Sequence, residues 1–324
     1  MNSSNISSTS GTSRTSGTSD SVSSRPRGRA LVLGGGGSAG NAWLIGVIAG
    51  LCDVGLDVAD ADLLVGTSAG ATAAAQIAMA SPAELLAAVD AEDWPAAGEA
   101  GPGRSRLTTI RPPSNHMEVM TQVIAAADDP ADMRRGIGAA ALERDAANGG
   151  STPNRWRDTV AARLPAQRWP RQRLMITAID ADTGEPVVFT RESGVELVDA
   201  VAASTSNGFG GPPYRIGERR YLDGGYRRNE NADLATGCDR VLVLSPLGGR
   251  TLHPHEWGMQ LSAQVEELRD AGSTVETILP DDASLEAFGG NMMDLSTRPP
   301  AARAGYEQGR RTGKELDGFW LGTD

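Results

Sequence analysis

The stretch LVLGGGGSAG, residues 31–40, decides the fold. The apolar residues 30–33 form a run short enough for a buried strand, and four glycines follow them directly. Beyond the glycines the chain is apolar on nearly all sides, which predicts a buried helix over about residues 41–54. A strand, a glycine-rich turn and a buried helix in this order are typical of an α/β protein.

The same order of elements returns downstream. Residues 62–65 predict a second strand, followed by GTSAG at 66–70 and an alanine-rich helix over 71–80. Apolar runs predict further strands at 174–179, 187–190 and 241–244. The sequence DTGEP, residues 182–186, has the composition of a hairpin turn, so part of the sheet is antiparallel. The predicted fold class is therefore α/β, with a mainly parallel central sheet.

The chain divides into a tail and one domain. Residues 1–28 are predicted to be a disordered Ser/Thr-rich tail, because the first 24 residues contain 11 Ser and 4 Thr and almost nothing to bury. Residues 29–324 form the domain, with a helical insertion at about 90–168 that is rich in Pro and Ala. This insertion is either a cap over the site or a packed helical subdomain. The stretch 301–319 is predicted to be helical, with breaks at its glycines.

Composition limits the chemistry. The single lysine, Lys314, excludes P-loop NTPases, Schiff-base enzymes and Ser-Lys hydrolases, which need a lysine inside a motif. Two distant cysteines, Cys52 and Cys238, exclude a zinc ribbon, an iron–sulfur site and a disulfide scaffold. We expect no cofactor and no metal. The chemistry must come from Ser, Asp, Glu, Arg, three His and the backbone.

Charge and hydropathy limit the partners. The net charge of −11 argues against nucleic acid and against electrostatic docking on anionic lipid. It leaves open a transient contact in which an apolar patch enters a membrane surface. No run of 18 apolar residues and no signal-peptide pattern are present, so no transmembrane segment and a cytoplasmic location are predicted.

The glycine run satisfies G-x-G-x-x-G at Gly35, Gly37 and Gly40, in the context of a dinucleotide-binding turn. Its amides at a helix N-terminus would stabilise an anion, either a pyrophosphate or a transient oxyanion. A dinucleotide-binding domain needs an acidic residue at the end of its second strand. Here that strand runs into Gly66 and Ser68 instead, which disfavours nucleotide binding.

Two further motifs contain a nucleophile and a carboxylate. GTSAG has the G-x-S-x-G pattern of a nucleophile elbow, in which Ser68 would project from a strained strand–helix turn between Gly66 and Gly70. LDGG, residues 222–225, follows an alternating segment over 214–222 that predicts a hairpin. Asp223 would therefore sit at a strand end, either as a catalytic residue or within a plain turn.

These motifs in this order resemble the patatin-like phospholipase family over about residues 30–245. The segment AVAASTSNGFGGPPYRIGERRYLDGGYRRN, residues 200–229, is similar to that family's run from an Ala/Ser-rich helix to its catalytic Asp. The resemblance implies a patatin-like three-layer sandwich. It also implies a carboxylic ester hydrolase that acts on lipid, phospholipid or small esters.

The resemblance further implies a catalytic dyad. Ser68 would attack the ester carbonyl, Asp223 would take the serine proton directly, and the amides of Gly35, Gly36 and Gly37 would form the oxyanion hole. The residues that it implies as support for the motifs are Gly40, Gly66, Gly70, Gly224, Gly225 and Asn229. Preorganised amide donors of this kind are a large term in acyl transfer.

The sequence departs from the family pattern at two positions. Ala39 stands where the family's glycine motif carries Arg or Lys, and Asn231 stands where a proline is expected. A replacement cation could come from several arginines, namely Arg111, Arg215, Arg227 and Arg228.

Two other functions fit the same residues. A conventional esterase triad would combine Ser68 and Asp223 with His253 or His255, in the chain order of α/β-hydrolases. A catalytically silent lipid- or acyl-binding protein is favoured by Ala39 and disfavoured by the intact Ser68 and Asp223. Met292 and Met293 would line an acyl pocket or pack in the core.

Overall fold

The computed structural model describes residues 28–92, 116–149 and 154–323. The predicted tail, apart from its last residue, and the insertion residues 93–115 and 150–153 lie outside the described part. The strands are β1 (Arg29–Leu33), β2 (Leu63–Gly66), β3 (Arg173–Asp180), β4 (Pro186–Phe189), β5 (Tyr214–Ile216), β6 (Arg219–Asp223), β7 (Arg240–Leu244) and β8 (Thr274–Ile278). The α-helices are α1 (Gly37–Asp53), α2 (Ala69–Ile77), α3 (Pro82–Asp90), α4 (His116–Ala126), α5 (Pro130–Ala147), α6 (Asn154–Ala161), α7 (Leu197–Ser204), α8 (Leu261–Asp270), α9 (Asp282–Phe288) and α10 (Arg298–Leu321).

All eight strands belong to one sheet with the order β5-β6-β3-β2-β1-β7-β8, and β4 pairs with β3 outside this path. β1, β2, β3, β7 and β8 run parallel, whereas β4, β5 and β6 pair antiparallel. The prediction of a mainly parallel sheet is confirmed. Leu33 of β1 is in register with both Gly66 and Leu244, so the segments that follow these three strands meet at one edge of the sheet.

Helices cover both faces of this sheet. Along β1, Leu31 and Leu33 join an apolar cluster with α1, α2, α7 and α10, while Ala30 and Val32 join a second cluster with α8. This alternation is the two-residue period of a strand with both faces buried. The architecture is therefore a three-layer α/β/α sandwich, as predicted.

The described parts of residues 90–168 pack on both faces of the sheet. α4 and α5 form a third cluster with Ile179 and Leu222 of β3 and β6, whereas α6 lies beside α7. α5 approaches the chain after β3 so closely that a Cβ at Gly138 would lie 2.2 Å from the Ala181 carbonyl oxygen. These helices therefore complete the helical layers.

α10 is one unbroken helix, so the prediction of breaks at its glycines is wrong. Its glycines pack against α1 instead. A Cβ at Gly309 of α10 would lie 2.2 Å from the Val47 carbonyl oxygen of α1, and a Cβ at Gly46 of α1 would lie 2.0 Å from the Ala302 carbonyl oxygen of α10. Glycine costs about 1 kcal/mol in a helix interior, and close backbone packing offsets this cost here.

None of the described helices is long and apolar enough to span a membrane.

Candidate active site

Ser68 occupies the turn between β2 and α2, with φ 54° and ψ −115°. Such a backbone costs a non-glycine residue about 1–3 kcal/mol and is typical of a nucleophile elbow. The turn requires glycine at positions 66 and 70, because a side chain at either position would collide with nearby backbone. A Cβ at Gly70 would lie 1.9 Å from the Leu33 carbonyl oxygen, and one at Gly66 would lie 2.6 Å from the Cα of Ala71.

A buried hydroxyl holds this turn from behind. The main-chain N–H of Ser68 donates to Ser204 Oγ at 2.9 Å, and Ser204 is fully buried at the end of α7. Ser68 itself is half-buried, and this bond fixes its backbone. This combination is suited to a nucleophile.

Asp223 reaches Ser68 because two strands end against the same part of β3. Gly66 at the end of β2 pairs with Ile176, and Asp223 at the end of β6 pairs with Ala178, two residues further along β3. The Ser68 side chain is close enough to the Asp223 carboxyl group to lower the pKa of that carboxyl. The N–H of Gly225 donates to Asp223 Oδ1 at 2.8 Å and fixes the orientation of the carboxyl group.

Burial makes this carboxyl group more basic. Asp223 as a residue is half-buried, but its carboxyl group is enclosed by protein, which raises the pKa from the ordinary 3.8 to about 6. The nearby Ser68 side chain and the hydrogen bond from Gly225 lower the pKa and only partly oppose burial. A carboxylate that titrates near pH 6 is a stronger base than an exposed aspartate and is still ionised at neutral pH.

The glycine run forms the loop between β1 and α1 and passes beside the elbow. A Cβ at Gly35 would lie 3.6 Å from the Cβ of Ser68. The N–H of Gly35 donates to the Asn229 carbonyl oxygen at 2.9 Å. The prediction of Gly35 as an oxyanion donor therefore needs correction, because its hydrogen is already bonded.

Three other main-chain N–H groups are not bonded in this way. Within the described residues, the N–H groups of Gly36, Gly37 and Ala69 make no hydrogen bond to the protein. Gly37 and Ala69 begin α1 and α2, whose first N–H groups have no intrahelical partner. Sequence reasoning missed Ala69, although the residue after the nucleophile is the usual donor in an elbow.

Residues 292 and 293 border the glycine loop. The Met292 carbonyl oxygen accepts a hydrogen bond from the N–H of Ala39 at 2.9 Å, and the Met292 side chain packs against the main core. A Cβ at Gly37 would lie 2.8 Å from Met293 Sδ. Both methionines are half-buried, so Met292 serves the core and Met293 borders the loop.

The cation beside Ala39 comes from α10. The guanidinium of Arg298 is buried, donates to the Ser38 carbonyl oxygen at 3.2 Å, and pairs with Glu92 at 2.6 Å. Of the predicted arginines, the three that the structure describes do not take this place: Arg227 and Arg228 pair with Asp233, and Arg215 is exposed. Arg111 lies outside the described residues. No local pattern links residues 38 and 298, so sequence reasoning could not find this contact.

The contacts of His253 and His255 bear on the triad hypothesis. His253 is buried, its Nδ1 lies 2.7 Å from Thr251 Oγ1, and its ring stacks on Trp257. Burial lowers the pKa of His253 to about 4. In the described part of the chain, no hydrogen bond joins His253 or the exposed His255 to Ser68 or Asp223. Within those same ranges, no three His, Cys, Asp or Glu side chains come together as a metal site requires.

The segment after Asp223 packs against β3 and bonds to the chain near Arg250. Gly224 packs so tightly on β3 that a Cβ there would lie 2.1 Å from Thr177 Oγ1. The Asn229 side chain donates to the Arg250 carbonyl oxygen at 2.8 Å. Asn231, which replaces the family's proline, is fully buried and has a left-handed backbone with φ 55°.

Comparison with known proteins shows which family the chain belongs to. The family model described as Patatin-like phospholipase matches residues 31–236. Among solved structures, VipD from Legionella pneumophila is similar at 15% identity and a TM-score of 0.41, over 90% of this chain and 67% of that chain. A search of curated proteins found no match. Because the family match spans more than half of the sequence, the chain belongs to the patatin-like phospholipase family, a family of lipid acyl hydrolases.

Proposed function

We propose that this protein hydrolyses carboxylic esters of lipids through a dyad of Ser68 and Asp223. The observation that carries the proposal is that β2 and β6 end two residues apart along β3, which brings the strained Ser68 next to the buried Asp223 carboxyl group closely enough for the serine to lower its pKa. A strained serine in direct contact with a buried carboxylate is the arrangement that a two-residue acyl hydrolase needs.

Acylation uses both residues and the free amides. Asp223 takes the proton from the Ser68 hydroxyl as Oγ bonds to the ester carbonyl carbon, and the carbonyl oxygen becomes an oxyanion. The amides of Gly36, Gly37 and Ala69 stabilise this charge; loss of one such donor typically costs about 3–4 kcal/mol. When the ester C–O bond breaks, Asp223 returns the proton to the leaving alkoxide and an alcohol departs.

Deacylation repeats these steps with water. Asp223 takes a proton from a water molecule, whose oxygen bonds to the carbonyl carbon of acyl-Ser68. The tetrahedral species breaks its bond to Ser68 Oγ, and Asp223 gives the proton back to that oxygen. The products are a carboxylic acid and free enzyme, so no cofactor is consumed.

The family supports a lipid or phospholipid ester as substrate, and a small ester can report on the same site. Met293 borders the loop that carries two of the proposed donors, so it is suited to contact the acyl group. Transient contact with a membrane surface would deliver such a substrate.

A fluorophosphonate probe tests the nucleophile, because it reacts only with an activated serine. We expect labelling of the wild type and of Ser193→Ala, a control that removes an exposed hydroxyl far along the chain. Ser68→Ala should not be labelled, and Asp223→Asn should react at least 100-fold more slowly, in the range that general-base loss produces. A folded wild type that the probe leaves untouched would instead identify a silent lipid-binding protein.

The conventional triad predicts a different result. We expect His253→Ala/His255→Ala to retain most hydrolysis of a p-nitrophenyl ester, since the imidazole of His253 faces Thr251 and Trp257. A double variant that is folded but inactive would replace the dyad with the triad.

A further inference from the structure

Asn231 contacts residues next to both members of the proposed dyad without taking part in the chemistry. It is fully buried, with φ 55°. Among the described residues, Ser68 and Asn231 are the two non-glycine residues with positive φ. Such a backbone persists only where the surroundings hold it, and it clusters at functional sites.

The side-chain amide of Asn231 bridges the two motifs. Its Nδ2 lies 3.0 Å from Oγ1 of Thr67, the residue before Ser68. The same nitrogen lies 3.2 Å from the carbonyl oxygen of Gly224, the residue after Asp223. One planar group therefore contacts the neighbours of both the nucleophile and the base.

Further contacts fix the direction in which this amide points. Nδ2 is also 2.7 Å from the Arg228 carbonyl oxygen and 3.3 Å from Thr177 Oγ1, so two hydrogens are shared among four acceptors. At the other end, Oδ1 accepts from the Arg227 guanidinium at 2.6 Å. Rotating the amide by 180° would turn its NH2 group toward that cation and leave the acceptors without a donor.

Strand β3 separates the two strands that end at the dyad residues. β2 and β6 both pair with β3, at Ile176 and at Ala178, and no ladder pairing joins them to each other. Ser68 and Asp223 lie at the ends of these two strands. Their separation therefore depends on β3 and on side chains that cross between the strand ends.

We infer that Asn231 is a positioning residue that sets the geometry between Ser68 and Asp223. The inference rests on the proposed function. The family's proline at this position has no side-chain donor, so the bridge is a property of this chain. A misplacement of about 1 Å between reacting groups can cost about 100-fold in rate, which gives the amide a large effect on turnover.

Two variants separate the amide from the backbone. Asn231→Gly keeps the left-handed backbone without strain and deletes the amide. Asn231→Asp keeps the volume and the acceptor for Arg227 but replaces the NH2 donor with an oxygen. We expect kcat to fall by about 100-fold in both, with KM nearly unchanged, because the substrate-binding surface is intact.

The control is another buried amide. Gln308 on α10 bonds Trp43, Ser284 and the Leu279 carbonyl oxygen, away from the dyad. Gln308→Ala should lower Tm and leave kcat unchanged.

A second readout is the acid limb of the pH–rate profile. Moving Ser68 away from Asp223 would weaken the interaction that lowers the Asp223 pKa, so this limb should move to higher pH in Asn231→Gly.

Fluorophosphonate labelling, normalised to the folded fraction of each variant, separates the outcomes. The inference is overturned if both Asn231 variants label at the wild-type rate with an unshifted pH profile, or if kcat falls only in proportion to the folded fraction. A folded wild type that does not label overturns the proposed function, and the inference with it. Slow labelling, a shifted profile and an unaffected Gln308→Ala support it.

Discussion

The main-chain N–H of Gly35 donates to the carbonyl oxygen of Asn229 at 2.9 Å, which fastens the glycine loop to the segment behind Asp223. The loop is also held by the N–H of Gly34, which donates to the Leu244 carbonyl oxygen at 3.0 Å. Two bonds at its start therefore fix the loop before the free amides of Gly36 and Gly37. A loop anchored in this way is preorganised, which is what oxyanion stabilisation requires.

Gly36→Ala tests this anchoring. A Cβ at position 36 would lie 2.5 Å from the Cβ of Pro246, so the loop must move and its amides with it. We expect ester hydrolysis to fall by about 100- to 1,000-fold, as for loss of one oxyanion donor. Gly211→Ala is the matched control, because a Cβ there meets nothing within 4 Å. Full activity in folded Gly36→Ala would rule out this loop as the oxyanion hole.

The pH dependence of the reaction should report the base. Asp223 must be ionised to accept the Ser68 proton, and burial raises the pKa of Asp223 to about 6. We therefore expect kcat/KM to rise with pH through a midpoint near 6 and to level off above it. Because a histidine can titrate in the same range, the measurement is repeated in His253→Ala/His255→Ala. If the midpoint disappears in that variant, a histidine rather than Asp223 causes the rise of kcat/KM with pH.

The same pKa predicts that Asp223 destabilises the fold at neutral pH. Its carboxyl group binds a proton more tightly in the folded than in the unfolded chain, so stability falls as the pH rises from about 4 to 6. Asp223→Asn should have a free energy of unfolding higher by about 2–3 kcal/mol at pH 8, and this gain should vanish below about pH 4. Urea unfolding at both pH values measures it. A gain that is independent of pH would point to another cause.

Arg298 and Arg303 provide a matched pair on α10. Both pair with acids at the end of α3, but Arg298 is buried against Glu92 and Ser38, whereas Arg303 pairs with Asp90 in solvent. We expect Arg298→Ala to cost about 3 kcal/mol of stability, as breaking a buried pair does, and to lower activity by loosening the start of α1. Arg303→Ala should cost less than about 1 kcal/mol. Equal losses in thermal unfolding would contradict this.

The close packing of α1 on α10 should tolerate no added methyl group. At Gly46 a Cβ would lie 2.0 Å from the Ala302 carbonyl oxygen, so Gly46→Ala must push the helices apart. The expected loss of stability is about 1–3 kcal/mol, although alanine is the better helix former. Gly290→Ala is the control, since nothing lies near its Cβ. A rise in Tm for Gly46→Ala would show that the helices can adjust.

Sequence patterns predicted the parts of this molecule that depend on neighbours along the chain. The strand before Gly34, the elbow at Ser68 and the hairpin before Asp223 each have a local signature of apolar periodicity and small residues. The start of α1 at Gly37, earlier than predicted, also has a local reason. The first residues of a helix need no intrahelical N–H bond, so a glycine-rich start costs little.

The contacts that tertiary structure creates could not be predicted. The Arg298 guanidinium at Ser38, the Asn231 amide between two motifs, and the Gly35 hydrogen taken by Asn229 each join distant segments. Strand β8 was missed as well, because its exposed and buried residues do not alternate cleanly. β8 lies at an edge of the sheet and has one strand neighbour. It therefore does not need the strong apolar run that a central strand requires.

The contact between α1 and α10 also has a consequence for biosynthesis. α1 is buried along almost its whole length, and its partner helix is made about 250 residues later. At a synthesis rate of about 5–20 residues per second, the part of the α1 surface that α10 covers stays exposed for tens of seconds. Such a nascent chain needs shielding from aggregation during that interval. Synthesis of α10, rather than local collapse, is then the event that completes the packing of α1.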